Sequence, residues 1–201
     1  MSLNGGPFKT IVFPEGKTPW LTATFIDKNP IIIDTSIINV VELTMDAGGL
    51  TGTEFVGQWL FNTTYTANLS FVYLSNPDVP EVAPGFGQNS FSAGPAKGFD
   101  ILFDFDQAKD NRFSTGEKVV YDIYGQPNLT LLAENFNTLN DPGNEAGVYY
   151  SAAHVQGIKV ELSGWIAATN GAKPVPEPTT MLLLGIGLTG LAYFARKKFL
   201  K

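Results

Sequence analysis

Residues Phe99–Phe105 read FDILFDF. In an extended chain this puts Phe99, Ile101, Phe103 and Phe105 on one face and Asp100 and Asp104 on the other, the period of two that marks a strand with one buried side. The alternation recurs along the body. Leu21, Ala23 and Phe25 alternate with Thr22 and Thr24; Val41, Leu43 and Met45 with Glu42 and Thr44; Val119, Tyr121 and Ile123 with Lys118 and Asp122. Ile158, Val160, Leu162 and Ile166 oppose Lys159, Glu161 and Ser163, which predicts one strand over 158–166. Further strands are expected at Phe8–Phe13, Gly57–Asn62 and Leu69–Leu74. Strands with one apolar face pair into antiparallel sheets that pack face to face. The expected fold is therefore all-β, an antiparallel, jelly-roll-like β-sandwich. A short helix is expected around Leu131–Leu139, and a long Pro- and Gly-rich surface loop over Asn76–Pro95.

Composition agrees with this reading. Hydrophobic residues make up 44% of the 201 and charged residues 16%, enough apolar surface for a packed core and too little charge for a disordered chain. Phe (15), Gly (21) and Pro (13) fit short strands joined by turns. The chain has no cysteine, which excludes disulfides and Cys-based metal sites. The net charge of -6 is unevenly spread. Arg196, Lys197, Lys198 and Lys201 lie in the last six positions, and no acid follows Glu177. The remainder carries 9 basic against 19 acidic residues, a net of -10, which argues against nucleic-acid binding by the body.

The chain divides by composition. Residues 1–6 read as a disordered start or an appended scar. Residues 7–168 read as an extracytoplasmic β-sandwich domain. No basic stretch followed by a long apolar run precedes it, so an export signal is expected to have been removed or replaced. Residues 169–178 (TNGAKPVPEP) form a Pro-rich linker; Pro174, Pro176 and Pro178 forbid helix and favour an extended, stiff chain. Residues 179–195 (TTMLLLGIGLTGLAYFA) contain no charge and have no polar face. As a helix they span roughly 26 Å, near the lower limit for crossing a bilayer. A single transmembrane sorting helix is expected there. Residues 196–201 then form a basic cytoplasmic tail, with Arg196, Lys197 and Lys198 setting the topology and leaving the body outside.

Val175-Pro176-Glu177-Pro178, the glycine-containing apolar span and the basic cluster together resemble the PEP-CTERM sorting signal. The three parts occur in the order and spacing of that family. The resemblance implies a substrate of exosortase, a membrane cysteine protease-transpeptidase of Gram-negative bacteria that make exopolysaccharide. It also implies that the enzyme recognises Pro176, Glu177 and Pro178, and that the body is exported to the cell surface or matrix after transient anchoring in the inner membrane. Gly98–Phe105, Ser151–Ile158 and Ser163–Ala167 resemble ectodomains that accompany this signal, which implies fold and location only.

The body itself offers little chemistry. His154 is the one histidine, and no serine stands in a Gly-x-Ser-x-Gly elbow, so a structural or exposed histidine is expected rather than a catalytic base. Asp104, Asp106 and Asp110 in DFDQAKDN have oxygen-rich spacing for Ca²⁺. The EF-hand pattern fails at Ala108 and Lys109, and because Asp104 and Asp106 alternate out of the strand a solvated sheet edge is the better reading. A carboxylate pair for glycoside hydrolysis has no sequence signature, because its members can lie far apart in the chain. Trp20, Trp59 and Trp165 could stack on sugar rings, but core packing or a sheet-edge role is the expectation for them. Trp165 falls on the polar face of its strand, which makes it the candidate ligand-binding platform. The sequons at Asn62, Asn68 and Asn128 are expected to be incidental in a bacterial protein.

Three functions follow. The leading one is a non-enzymatic surface or matrix protein, processed by exosortase and associated with exopolysaccharide, with no cofactor. The second is a lectin-like carbohydrate-binding module, Ca²⁺-assisted if the aspartates gather. The third is a secreted hydrolase.

Overall fold

Alternating apolar residues do build strands, and the computed structural model arranges them in two antiparallel sheets. It describes residues 2–3, 13–74, 79–141, 147–159 and 161–169, all within the unit Met1–Asn170. The strands are β1 (Ser2–Leu3), β2 (Leu21–Ile33), β3 (Ser36–Asp46), β4 (Phe55–Phe61), β5 (Ser70–Tyr73), β6 (Gly85–Ala93), β7 (Ala96–Asp104), β8 (Phe113–Ser114), β9 (Lys118–Tyr124), β10 (Ser151–Ile158) and β11 (Leu162–Ala168). The first sheet runs β1-β2-β3-β9-β5 and the second β11-β10-β4-β7-β6, with β8 also on β4. Every described pairing is antiparallel.

Leu21, Ala23, Val41, Leu43, Met45, Val119, Tyr121 and Ile123 of the first sheet share one core with Val56, Trp59, Phe61, Ile101, Phe103, Val155 and Ile166 of the second. Aromatic rings bridge the sheets. Phe25 meets Phe61 edge to face, with ring centroids 5.5 Å apart. Phe103 meets Phe71 at 5.9 Å and Tyr121 at 5.0 Å, both T-shaped. These contacts add to simple area burial because each positive ring edge meets a negative ring face. The Trp59 indole N–H donates to Ser151 Oγ at 2.9 Å, and that hydroxyl donates to the Leu60 carbonyl at 2.7 Å. A buried polar group would otherwise cost stability; here the pair pins β10 to β4 in register.

Several expectations change. Residues 158–166 are a hairpin, not one strand. Ile158 ends β10 and Leu162 begins β11, with Lys159 in the left-handed region between them (φ 48°). Leu162 is accordingly exposed. The Asn76–Pro95 stretch contains a strand. β6 pairs with β7 despite its glycines, because register breaks after Phe86 and at Phe91 absorb the irregular residues, Asn89 among them (φ 51°). In place of a helix over Leu131–Leu139 there is one 3-10 turn, Ala133–Phe136. The Asn135 side chain accepts from the Leu132 N–H and its carbonyl accepts from the Thr64 N–H, so local polar bonds outcompete a longer helix. Of the strand expected at Phe8–Phe13 only Phe13 is described; it is not in a strand and stacks on Trp20.

The expectation of one apolar face per strand fails in the second sheet. β4 is buried on both sides, and Leu60, Ala93, Ala96, Phe99, Tyr149, Ala152 and Ala167 form a second cluster. Phe99 thus leaves the cluster that holds Ile101, Phe103 and Phe105. Among the described residues no helix is long and apolar enough to cross a membrane; the expected span 179–195 lies outside them.

Phe61→Ala removes the ring that joins both sheets and is expected to lower unfolding stability by about 3–5 kcal/mol. Leu129→Ala, at an exposed site, should change it by less than about 0.5 kcal/mol. Chemical denaturation of both variants checks the contrast.

Candidate functional site

The outer face of the second sheet is half covered. Asn140 makes the cover. Its backbone N–H donates to the Tyr149 carbonyl and its Oδ1 accepts from the Tyr149 N–H. Its side-chain amide also donates to the Lys97 carbonyl. The Asp141 N–H reaches the Gly98 carbonyl at 3.2 Å. Gly98 is required there: its φ is +78°, and a Cβ would stand 1.8 Å from the Asp141 carbonyl oxygen. Tyr149 is thereby laid over Leu60, Ala152 and Ala167.

From the edge of this covered band, against which Trp165 packs, runs a row of half-buried side chains that ends at exposed Asp104. Trp165 on β11 is in register with His154 on β10, His154 with Gln58 on β4, and Gln58 with Asp104 on β7. Directly opposed residues of antiparallel strands share a face, so the four side chains form one line of roughly 15 Å across four strands. The His154 ring stacks on the Trp165 indole, with centroids 5.0 Å apart and planes 24° off parallel. Gln58 Nε2 donates to Asp104 Oδ1 at 3.1 Å. Burial against the indole lowers the His154 pKa below the ordinary value, because the charged imidazolium loses water. The row combines an aromatic pair, a carboxamide and a carboxylate, the groups that recognise a polyhydroxylated ring by stacking and hydrogen bonding.

Trp165, the candidate platform, does not stand alone on its face. The indole is half-buried, flanked by His154 and by the β6–β7 turn, where a Cβ on Gly94 would lie 3.1 Å from its Cδ1 and Nε1. Of the two roles expected for Trp20 and Trp59, core packing and sheet edge, the structure gives both the core. Sequence periodicity gave no sign that His154, Gln58 and Asp104 join Trp165, because they come from four strands whose register is a tertiary property.

Asp104, Asp106 and Asp110, weighed as Ca²⁺ ligands against a solvated sheet edge, each have a separate local setting. Asp104 turns to Gln58. Asp106 Oδ1 accepts from the Ala108 N–H at 2.8 Å and its Oδ2 from Asn111 Nδ2 at 3.0 Å, which closes the turn and holds its pKa low. Asp110 is exposed on the 3-10 turn Lys109–Asn111. Among the described residues no group of three or more His, Cys, Asp or Glu is placed to hold a metal ion.

The buried acids serve the fold. Glu54 accepts from the Glu15 and Thr51 N–H groups, and Asp100 from the Thr63 and Asn89 N–H groups. Asp122 takes the Lys28 ammonium at 2.8 and 2.9 Å and thereby raises the Lys28 pKa. Asn62 of the first sequon is fully buried, its amide donating to the Tyr149 and Tyr150 carbonyls, so it is closed to a glycan.

Pro176, Glu177 and Pro178, with Arg196, Lys197 and Lys198, lie outside the described residues. Comparison with protein families places all six inside one match, over residues 174–198. The chain carries a PEP-CTERM protein-sorting motif. The motif implies an exported cell-surface protein with exosortase as its processing partner. No curated protein and no solved structure matches the chain.

The single histidine makes the row measurable. Because burial depresses its folded pKa, the unfolded chain takes up the proton first as pH falls below about 6.5, and the stack then loses stability. Proton NMR should give a His154 midpoint below 6.5. Trp165→Ala, by returning water to the ring, should move the midpoint up toward that value.

Proposed function

We infer that this chain is an exosortase-processed surface or extracellular-matrix protein, non-enzymatic, and held among exopolysaccharide by its β-domain. The carrying observation is the sorting motif at residues 174–198. In this reading the apolar stretch 179–195 anchors the exported body in the inner membrane, and the Pro-rich residues 169–178 present Pro176-Glu177-Pro178 to exosortase. Arg196, Lys197 and Lys198 stay in the cytoplasm. The chemistry is done to the protein rather than by it. The engagement of Glu54, Asp100 and Asp122 in the fold supports this, as does the stacking of the one histidine on Trp165.

A carbohydrate-binding module is the second reading, and one observation favours it: the Trp165–His154–Gln58–Asp104 row. It is compatible with the first, since a weak sugar site repeated over many copies would hold the protein in a polysaccharide matrix.

Intact mass of the protein from its native host tests the processing. The residues after Pro178 should be missing when exosortase is present and retained when its gene is deleted; retention in both strains refutes the reading. Trp165→Ala should weaken sedimentation with host polysaccharide about tenfold, ~1.4 kcal/mol. Unchanged binding would remove the row from the mechanism.

A further inference from the structure

The β2–β3 hairpin outgrows its sheet. β3 pairs with β9 over Val40–Asp46, and past it the chain after β9 reaches only Asn39 and Ile37, the Asn128 N–H donating to the Ile37 carbonyl at 2.8 Å, whereas β2 continues to Ile33 and β3 starts at Ser36. Residues 26–35 are all exposed. The arm beyond Lys28 is apolar: Ile31 is 38% exposed, Ile32 72%, Ile33 53% and Ile37 48%. Register puts Ile31 opposite Ile38 and Ile32 opposite Ile37, so successive isoleucine pairs take opposite faces of the ribbon. Between Lys28 and Asn39 the sole charge is Asp34, at the turn. Isolated exposed apolar residues are ordinary, but a contiguous run on a projecting element marks a surface that meets something apolar.

The direction of the arm identifies what it meets. Phe25 of β2 packs on Phe61 of β4. Phe61 is in register with Ser151, and Ser151 with Ala168, the last residue of β11. Two residues beyond Phe25, Asp27 Oδ1 accepts from the Ala133 N–H, and the same 3-10 turn reaches Thr64 just past the end of β4. The arm therefore leaves the β-domain at the end where β11 ends, five residues before the sorting motif at 174–198. From Asp27 to Asp34 it extends roughly 23 Å. The ten residues 169–178 reach at most about 35 Å, so the arm meets the bilayer whenever this linker is drawn out to less than the arm's own length.

We propose that the isoleucine arm, Ile31–Ile38, is a membrane-surface contact that rests in the lipid interface while the body is tethered by its sorting segment. This rests on the anchoring reading above. The arm lies along the interface instead of entering tip first, because Asp34 and Thr35 at its turn keep their water in the headgroup layer. A second contact limits rotation of the body about its tether and steadies the linker that carries the Pro-Glu-Pro motif.

The chain lacks cysteine, so an introduced thiol is unique. The full chain carrying Ile32→Cys, Thr51→Cys or Leu183→Cys is labelled with an environment-sensitive fluorophore. Each is reconstituted in phosphatidylcholine–phosphatidylglycerol vesicles with or without doxyl-lipid quenchers. Thr51 is exposed at the opposite end of the domain, beside Glu54. Position 32 should shift to the blue and lose emission about twofold to quenchers set at interfacial depth; position 51 should not respond, and position 183 should be quenched. Quenching at 183 without quenching at 32 overturns the arm contact and leaves anchoring intact. No quenching at either overturns both. A blue shift at 32 that lipid quenchers leave untouched and dilution abolishes assigns the arm to a second copy of the chain, which also overturns the proposal.

Discussion

Phe61 sits between Phe25 of the facing sheet and Phe103 of its own, meeting both edge to face, and stacks on Trp59 along its strand. This ring cluster sets how the sheets lie against each other. Shifting β4 by one residue would send Phe61 and Trp59 to the outer face and Leu60 inward, breaking the contacts to Phe25 and Phe103 together. The Trp59–Ser151–Leu60 hydrogen bonds add a polar check on the same register, since a slip would strand a buried indole N–H.

Fixing β4 fixes the outer face. Gln58 is three residues before Phe61, on the opposite side of the strand, and its alignment with His154 and Asp104 follows from the pairing that buries Trp59 and Phe61. Tyr149, held by the Asn140 clamp, and Ala93, Ala96 and Phe99 of the β6–β7 hairpin cover one half of that face and leave the other half-buried. Core packing and the row are thus consequences of one register. The buried carboxylates belong to the same scaffold: each is held by backbone amides or by a lysine, which offsets the cost of removing its charge from water.

The same ring contacts decide where the chain leaves the domain. Phe25 opposite Phe61 brings the outward-running part of β2 to the end where β11 stops. An apolar arm and the route to the sorting motif consequently share one end. Asp27 and the turn Ala133–Phe136 close the core immediately below the arm, and the isoleucine side chains beyond stay exposed although the Ile37 backbone bonds to Asn128.

Local pattern alone determined the all-β class, most strand positions in the core and the sorting motif. Each of these is written in contiguous residues: period-two alternation for Val41–Met45 and Val119–Ile123, and Val175-Pro176-Glu177-Pro178 with its apolar and basic neighbours. Local pattern misled wherever a distant segment supplied the missing bonds. β6 became a strand because β7 pairs with it, residues 131–139 lost a helix to Thr64 and to Asn135 itself, and Phe99 joined the second cluster beneath Tyr149. The row at Trp165, the dispersal of Asp104, Asp106 and Asp110, and the shared end of arm and chain exit were decided by tertiary structure only. All three depend on which residues of separate strands stand opposite one another. A period of two says which side of a strand a residue occupies, but not which neighbour it faces.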